Sequence, residues 1–267
     1  MKKALMYLLL ALGIVIAVAF VSGAVMGFAA GFIDGYNEAN PGTTKTANLV
    51  VITAVFLILS VSIVINWVFL GFRFASYTPG RMPKEAAWRV FSLLLLAMGG
   101  LALLYSLMYN PLQPYDGTLT TESDESVRSV YLWIKEHPLF SLPLLVLIEA
   151  TDDLVIYGAV LREILEWKHK PEIIIPIFAA VMAIFTSFSG MVILMLPSMM
   201  AALIEAWIYE CTRSVLPVIV ADSFFWIVML CLLGVVIPSW CFLVAVAIIL
   251  PSAYFLIKSM DPFKPID

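Results

Sequence analysis

Carboxylates held close together can share a proton, activate a water or bind a cation, and this sequence carries several of them inside long apolar runs. Glu149, Asp152, Asp153 and Tyr157 fall at spacings of three and four, which places them on one face of a helix. Glu205, with Tyr209 one turn on, and Asp222 stand in two later runs. Counted from Arg162 and Arg213, the basic residues that bound those runs, Asp152 is ten residues in, Asp222 nine and Glu205 eight. At about 1.5 Å per residue each lies about 12–15 Å deep, so three helices are expected to bring carboxylates to one level around a polar cavity. No Lys, Arg or His stands at that level. Crowded carboxylates cannot all ionise in a low dielectric, so at least one of Asp152, Asp153, Glu205 and Asp222 is expected to keep its proton, or the cluster to hold a cation. The plainer expectation, strongest for Glu205, is a hydrogen bond to backbone or to a Ser/Thr on a neighbouring helix.

The elements that must position these residues follow from composition. Of 267 residues 63% are hydrophobic and 13% charged, and the mean hydropathy is +1.02. That pattern excludes an ordinary soluble enzyme and predicts an all-α polytopic membrane protein of about eight transmembrane helices. Spans are expected at 4–32, 47–71, 89–108, 138–162, 172–194, 197–211, 214–233 and 237–258. With both termini cytoplasmic, only Lys45, Arg128 and Lys135 of the basic residues fall outside, which satisfies the positive-inside rule with an even number of spans. The chain then reads as one integral membrane domain, 1–267. A three-helix portion covers 1–108, an acidic external loop 109–137, with a short surface helix near Val127 to Ile134, and a core of about 138–233. The first span is too long for a signal h-region and is expected to be retained. A net charge of −4 without a basic stripe excludes nucleic acid as a partner.

Gly23, Gly27, Gly31 and Gly35 recur every fourth residue and form a stripe along the first helix. Packing against a neighbouring span is the simpler reading, and self-association through the same face is the alternative. Cys211, Cys231 and Cys241 are expected as buried free thiols. Trp67, Trp88, Trp207 and Trp226, with Met182, Met191, Met195, Met199, Met200 and Met229, have the composition of an adaptable apolar pocket, although at helical spacing core or lipid-facing positions suit them as well.

The segment EATDDLVIYGAVLREILEW, Glu149 to Trp167, resembles the first motif of the CPBP family of integral membrane proteins. That family comprises the CAAX prenyl endopeptidases and the bacteriocin-processing or self-immunity proteins. Its motif is EExxxRG, read here as Asp152-Asp153-Leu-Val-Ile-Tyr157-Gly158. Phe185-Thr-Ser-Phe-Ser189 stands where the family has FxxxH, and Thr212 to Trp226 follows the frame of TGSLxxxILxHxxxN. The resemblance covers about Pro143 to Trp226 and implies a CAAX-endopeptidase-like bundle with a polar cavity facing the cytoplasm. It also implies that the catalytic positions fall on Asp152, Asp153, Tyr157, Ser189, Asp222 and Trp226. Both histidine positions, the arginine and the asparagine are replaced, and the chain's two histidines, His137 and His169, lie at span boundaries.

A catalytically degenerate member is therefore expected, needing no metal and no cofactor. Its cavity, lined by Glu149, Asp152, Asp153, Tyr157, Phe185, Ser189, Glu205, Tyr209, Asp222 and Trp226, would hold a membrane-protein helix, a hydrophobic peptide or a lipid tail. Two alternatives stay open. One is a divergent endopeptidase in which aspartates share a proton and activate water; the other is a proton- or cation-binding membrane protein.

Overall fold

The computed structural model describes residues 2–39, 59–66, 68, 84–109, 132, 135–167, 170–187, 194–232 and 234–260. Among these residues the chain is helical, with no strand. The helices are α1 (Lys2–Ala39), α2 (Lys84–Met108), α3 (Pro138–Val155), α4 (Arg162–Trp167), α5 (Pro171–Ser187), α6 (Met195–Thr212), α7 (Leu216–Leu232) and α8 (Cys241–Met260). A π-helical turn, Ile156–Leu161, joins α3 to α4 without a break. The protein is thus all-α, and a described helix lies in each apolar run except 47–71, of which only 59–66 and 68 are described, again helical. Two helical stretches, Trp88–Met108 and Cys241–Ser259, are long and apolar enough to cross a membrane; Leu5–Ile14, Pro171–Ile184 and Leu216–Leu232 are shorter apolar stretches. Most of the 109–137 loop, including all of the expected surface helix but Leu132, lies outside the described residues, as do Trp67 and Met191.

Helix boundaries follow local chemistry. Pro138 and Pro171 open α3 and α5, where the missing N–H would have had no partner and φ is already helical. Between α6 and α7 the chain turns at Arg213, a non-glycine residue at φ 50, whose N–H returns to the Tyr209 carbonyl at 2.7 Å. Its guanidinium donates to Glu210 Oε1 at 2.6 Å, and Thr212 Oγ1 donates to the Ile208 carbonyl at 2.7 Å, so the turn is held by its own side chains.

Three apolar clusters hold the helices together. In the largest, Leu94, Met98 and Leu101 of α2 meet Ile208 of α6, Phe225 and Met229 of α7, and Ala245 and Ile249 of α8. Gly99 and Gly100 make this packing possible. A Cβ on Gly100 would lie 2.8 Å from Ile249 Cγ1 and 3.4 Å from the Ala245 carbonyl oxygen, and one on Gly99 would touch Phe224 at 3.4 Å. In the second cluster Tyr157, Leu161 and Leu165 pack on Phe178 of α5, Ala206 and Tyr209 of α6 and Val218 of α7. The third joins Ala11 of α1 to Ile65, Leu154, Val155 and Ala159. A polar seam reinforces it: Asn66 Nδ2 donates to Thr151 Oγ1, which itself donates to the Leu147 carbonyl at 2.7 Å.

The glycine stripe behaves differently. A Cβ on Gly27, Gly31 or Gly35 would meet no described residue within 4 Å, and all three are exposed. Against described residues a close approach is found on α2, and Gly23's surroundings lie outside what is described. The expectation of three buried thiols also needs correcting. Cys211 is buried, Cys241 is half-buried and Cys231 is exposed, because the last turn of α7 points Cys231 away from the cluster that covers Met229; all three are free.

Candidate functional site

At about 100° per residue, positions 149, 153 and 157 form a single stripe along one helix face, and position 152 stands a quarter-turn to the side. The structure follows that division. Glu149 and Asp153 are buried, Asp153 to 2% exposure, whereas Asp152 is exposed. Glu205 of α6, at 3% exposure, faces the same stripe, and Asp222 of α7 completes the group from a half-buried position. Asp222 is near enough to Glu149, Asp153 and Glu205 to interact with them electrostatically. Glu149, Asp153, Glu205 and Asp222, from three helices, thus share one interior, whereas Asp152, one of the three residues counted to a common depth, stays outside it. An apolar groove of about 190 Å³ lies elsewhere, between Pro171, Ile175 and Pro176 of α5, Trp207 of α6 and Leu256 of α8.

Tyr157 closes the group. Its hydroxyl donates to Glu205 Oε2 at 2.5 Å, and its ring stacks edge-on against Phe178 with centroids 5.6 Å apart. The π-helical turn sets this geometry. Ile156 N–H is shared between the Asp152 and Asp153 carbonyls, Arg162 N–H reaches back five residues to the Tyr157 carbonyl, and the extra residue shifts the helix face beyond Asp153. Gly158 lets the turn approach the α6–α7 connection, since a Cβ there would stand 3.1 Å from Val215 Cγ2. Among the buried oxygens, Asp153 Oδ2 and Glu205 Oε1 receive no hydrogen bond from an N–H or O–H group of the described residues. No group of described His, Cys, Asp and Glu residues has a geometry suited to a metal ion.

The remaining candidate residues are not drawn in. Tyr209 is buried one turn from Glu205 and faces Arg162 and Arg213, which pair with Glu166 at 2.7 Å and Glu210 at 2.6 Å. Trp226 is half-buried against the α2–α6–α7–α8 cluster, with its ring 5.6 Å from Phe225. The side chain of Phe185, and Ser189 altogether, lie outside the described residues. The described tryptophans and methionines are dispersed: Trp88 is exposed, Met229 accepts from Ser106 Oγ at 3.0 Å, and Trp207 lines the groove.

Sequence reasoning passed over the π-helical turn, Asn66 and the Gly99–Gly100 pair. No residue pattern marks a π turn, and the Asn66–Thr151 contact spans 85 positions. Adjacent glycines inside an apolar run were a readable sign of close helix approach. Compared with known proteins, the chain matches no family model, no curated protein and no solved structure.

Proposed function

We propose that this chain is a multi-pass membrane protein with eight spans and cytoplasmic termini, a degenerate relative of the CAAX endopeptidases. In this reading it serves as a binding or accessory module for a membrane-embedded partner and not as a hydrolase. The membrane reading is supported by inverted polarity. The helices bury Glu149, Asp153 and Glu205 while exposing Leu9, Ile16 and Phe20 on α1, Ile173, Ile177 and Ile184 on α5, and Leu243, Leu250 and Ile257 on α8. A water-soluble fold does the opposite, because exposed apolar surface and buried carboxyls both oppose folding in water. Trp88, Trp167 and Trp240 are exposed at helix ends, where the amphipathic indole suits a membrane boundary.

The observation that carries the non-hydrolytic reading is the bond between Tyr157 and Glu205. Tyr157 occupies the position of the family motif's arginine, and Asp222 that of a histidine. In place of an imidazole poised to activate water, the histidine position holds the acid Asp222, and the phenol at the arginine position donates to Glu205. The retained framework and the outward apolar faces then serve recognition of another membrane-spanning segment, a hydrophobic peptide or a lipid tail.

Two experiments test this. Labelling of single cysteines placed at Lys170 and Arg128, in a background lacking the native cysteines, should proceed from the cytoplasmic side for the first and the external side for the second. Labelling of both from one side overturns the topology. Purified protein in lipid nanodiscs should cleave neither prenylated nor transmembrane peptides, and gentle extraction from native membranes should retain a stoichiometric partner. Peptide turnover that disappears in Asp153→Asn would reverse the functional reading.

A further inference from the structure

The groove of about 190 Å³ stands apart from the acidic interior, with Ile175 and Pro176 of α5 and Leu256 and Ile257 of α8 along it, and Leu203 and Trp207 of α6, which packs on both. Its lining runs from Pro171 to Pro176, about 7–8 Å along α5. A membrane-spanning helix, about 10–12 Å across with its side chains, is too wide for such a space. Cavities that hold drug-sized molecules are also larger, about 300–1,000 Å³. A short stretch of a single hydrocarbon chain fits. The groove lies where two helices end in basic residues. Lys170 precedes Pro171, the first residue of α5, and Lys258 follows Ile257 in the last turn of α8; both lysines are exposed. The Lys170 carbonyl accepts the N–H groups of Ile173 and Ile174 at 3.1 and 3.0 Å, which fixes Lys170 at the start of its helix. The lining carries one acid, Glu172, also exposed. Pro176, four residues on, has no N–H to return to the Glu172 carbonyl, so that oxygen lacks its α-helical bond.

We propose that the groove holds one acyl chain of a phosphatidylethanolamine molecule of the cytoplasmic leaflet, with its phosphate at Lys170 and Lys258 and its ammonium donating to Glu172. Charge and hydrogen bonding select this headgroup. Lysines bind phosphate as point charges. An acid beside them disfavours a lipid of net negative charge. The Glu172 carboxylate and carbonyl accept only from N–H or O–H donors; a primary ammonium has three N–H groups, whereas a choline headgroup has none. Orientation agrees as well. In the topology above Lys170 and Lys258 lie at the cytoplasmic boundary, so the apolar lining runs inward from the headgroup level as an acyl chain does. The inference rests on the membrane reading but not on the accessory role.

Native mass spectrometry of the whole protein, released from nanodiscs of equal parts phosphatidylethanolamine, phosphatidylcholine and phosphatidylglycerol, tests it. The wild type should retain one phosphatidylethanolamine per chain, severalfold above either of the others. Ala253→Trp, which fills the groove from α8, should lose most of it. Glu172→Gln should abolish the preference over phosphatidylcholine while lipid is still retained, and Lys170→Gln combined with Lys258→Gln should lower retention of all three. These three residues are exposed, so their variants keep the test decisive if thermal unfolding shows that Ala253→Trp does not fold. Equal retention of the three lipids by the wild type, or a folded Glu172→Gln variant that keeps the wild-type preference, would overturn the proposal. A cysteine placed at Lys170 that labels from the cytoplasmic side, in a protein without the lipid preference, leaves the topology standing and sinks this inference alone. Labelling from the external side overturns the leaflet assignment together with the topology.

Discussion

Helices α6 and α7 each face two interiors of opposite character. Toward α2 and α8 they present Ile204, Ile208, Ala221 and Phe225, and the fit depends on shape: glycines on α2 bring backbones together and large side chains fill what is left. Toward α3 and the π-helical turn the same two helices present Glu205 and Asp222, and the fit depends on the bond that Tyr157 donates to Glu205. Without water between helices, dispersion and hydrogen bonds are what hold membrane helices together, and the two interiors divide these between them. Damage should therefore differ in kind. Changes of volume should weaken the first interior, and changes of a single donor or acceptor the second.

The largest effect is expected in the apolar interior. Leu101→Ala removes a fully buried side chain from the α2 contact and should lower stability by about 2–5 kcal/mol in a denaturing-detergent titration. Gly100→Val should come close to it, because even its first added carbon would lie 2.8 Å from Ile249 Cγ1. If both variants unfold like the wild type, α2 and α8 are not packed as described. In the acidic interior Tyr157→Phe preserves volume and removes only the hydroxyl, leaving Glu205 without its donor; the expected loss is about 1–3 kcal/mol by the same titration. A smaller effect, about 1 kcal/mol, is expected for Gly158→Ala, where Val215 at 3.1 Å must give way and the π-helical turn is disturbed. The smallest belongs to α1. Gly27→Ala and Gly31→Ala should alter stability by no more than about 0.5 kcal/mol, since no described residue lies within 4 Å of the added carbon. Cysteines at Ala24 and Phe28 that crosslink between molecules in native membranes would show that this face packs against a second copy; absence of crosslinks would count against self-association through it.

The contrast between α1 and α2 also shows what a sequence can and cannot tell. Helix positions were legible in the described apolar runs, although α2 begins at Lys84, before Arg89, and the helix that holds Asp153 continues past Arg162 to Trp167. That Glu205 and Asp222 lie at similar distances along their helices was legible by residue count, but the same count chose Asp152, where the structure buries Glu149 and Asp153. Which neighbour a face meets was not legible. The glycines of α1 and those of α2 give the same local sign, and only assembly reveals that one set touches Ile249 and the other nothing described. Asp152 and Asp153 look like a pair, yet a quarter-turn sends one outward and one inward. The Tyr157–Glu205 bond joins residues 48 positions apart and depends on a π-helical turn that leaves no mark in residue type.

That bond is where the account is most exposed. A double-mutant cycle of Tyr157→Phe and Glu205→Gln, read as unfolding free energy in nanodisc-reconstituted or detergent-solubilised protein, measures whether the two side chains support one another. The acidic interior described here predicts a coupling of about 0.5–3 kcal/mol, with the double variant less damaged than the sum of the single ones. Strict additivity, each change acting as though the other residue were absent, would mean that the centre is not a mutually bonded unit.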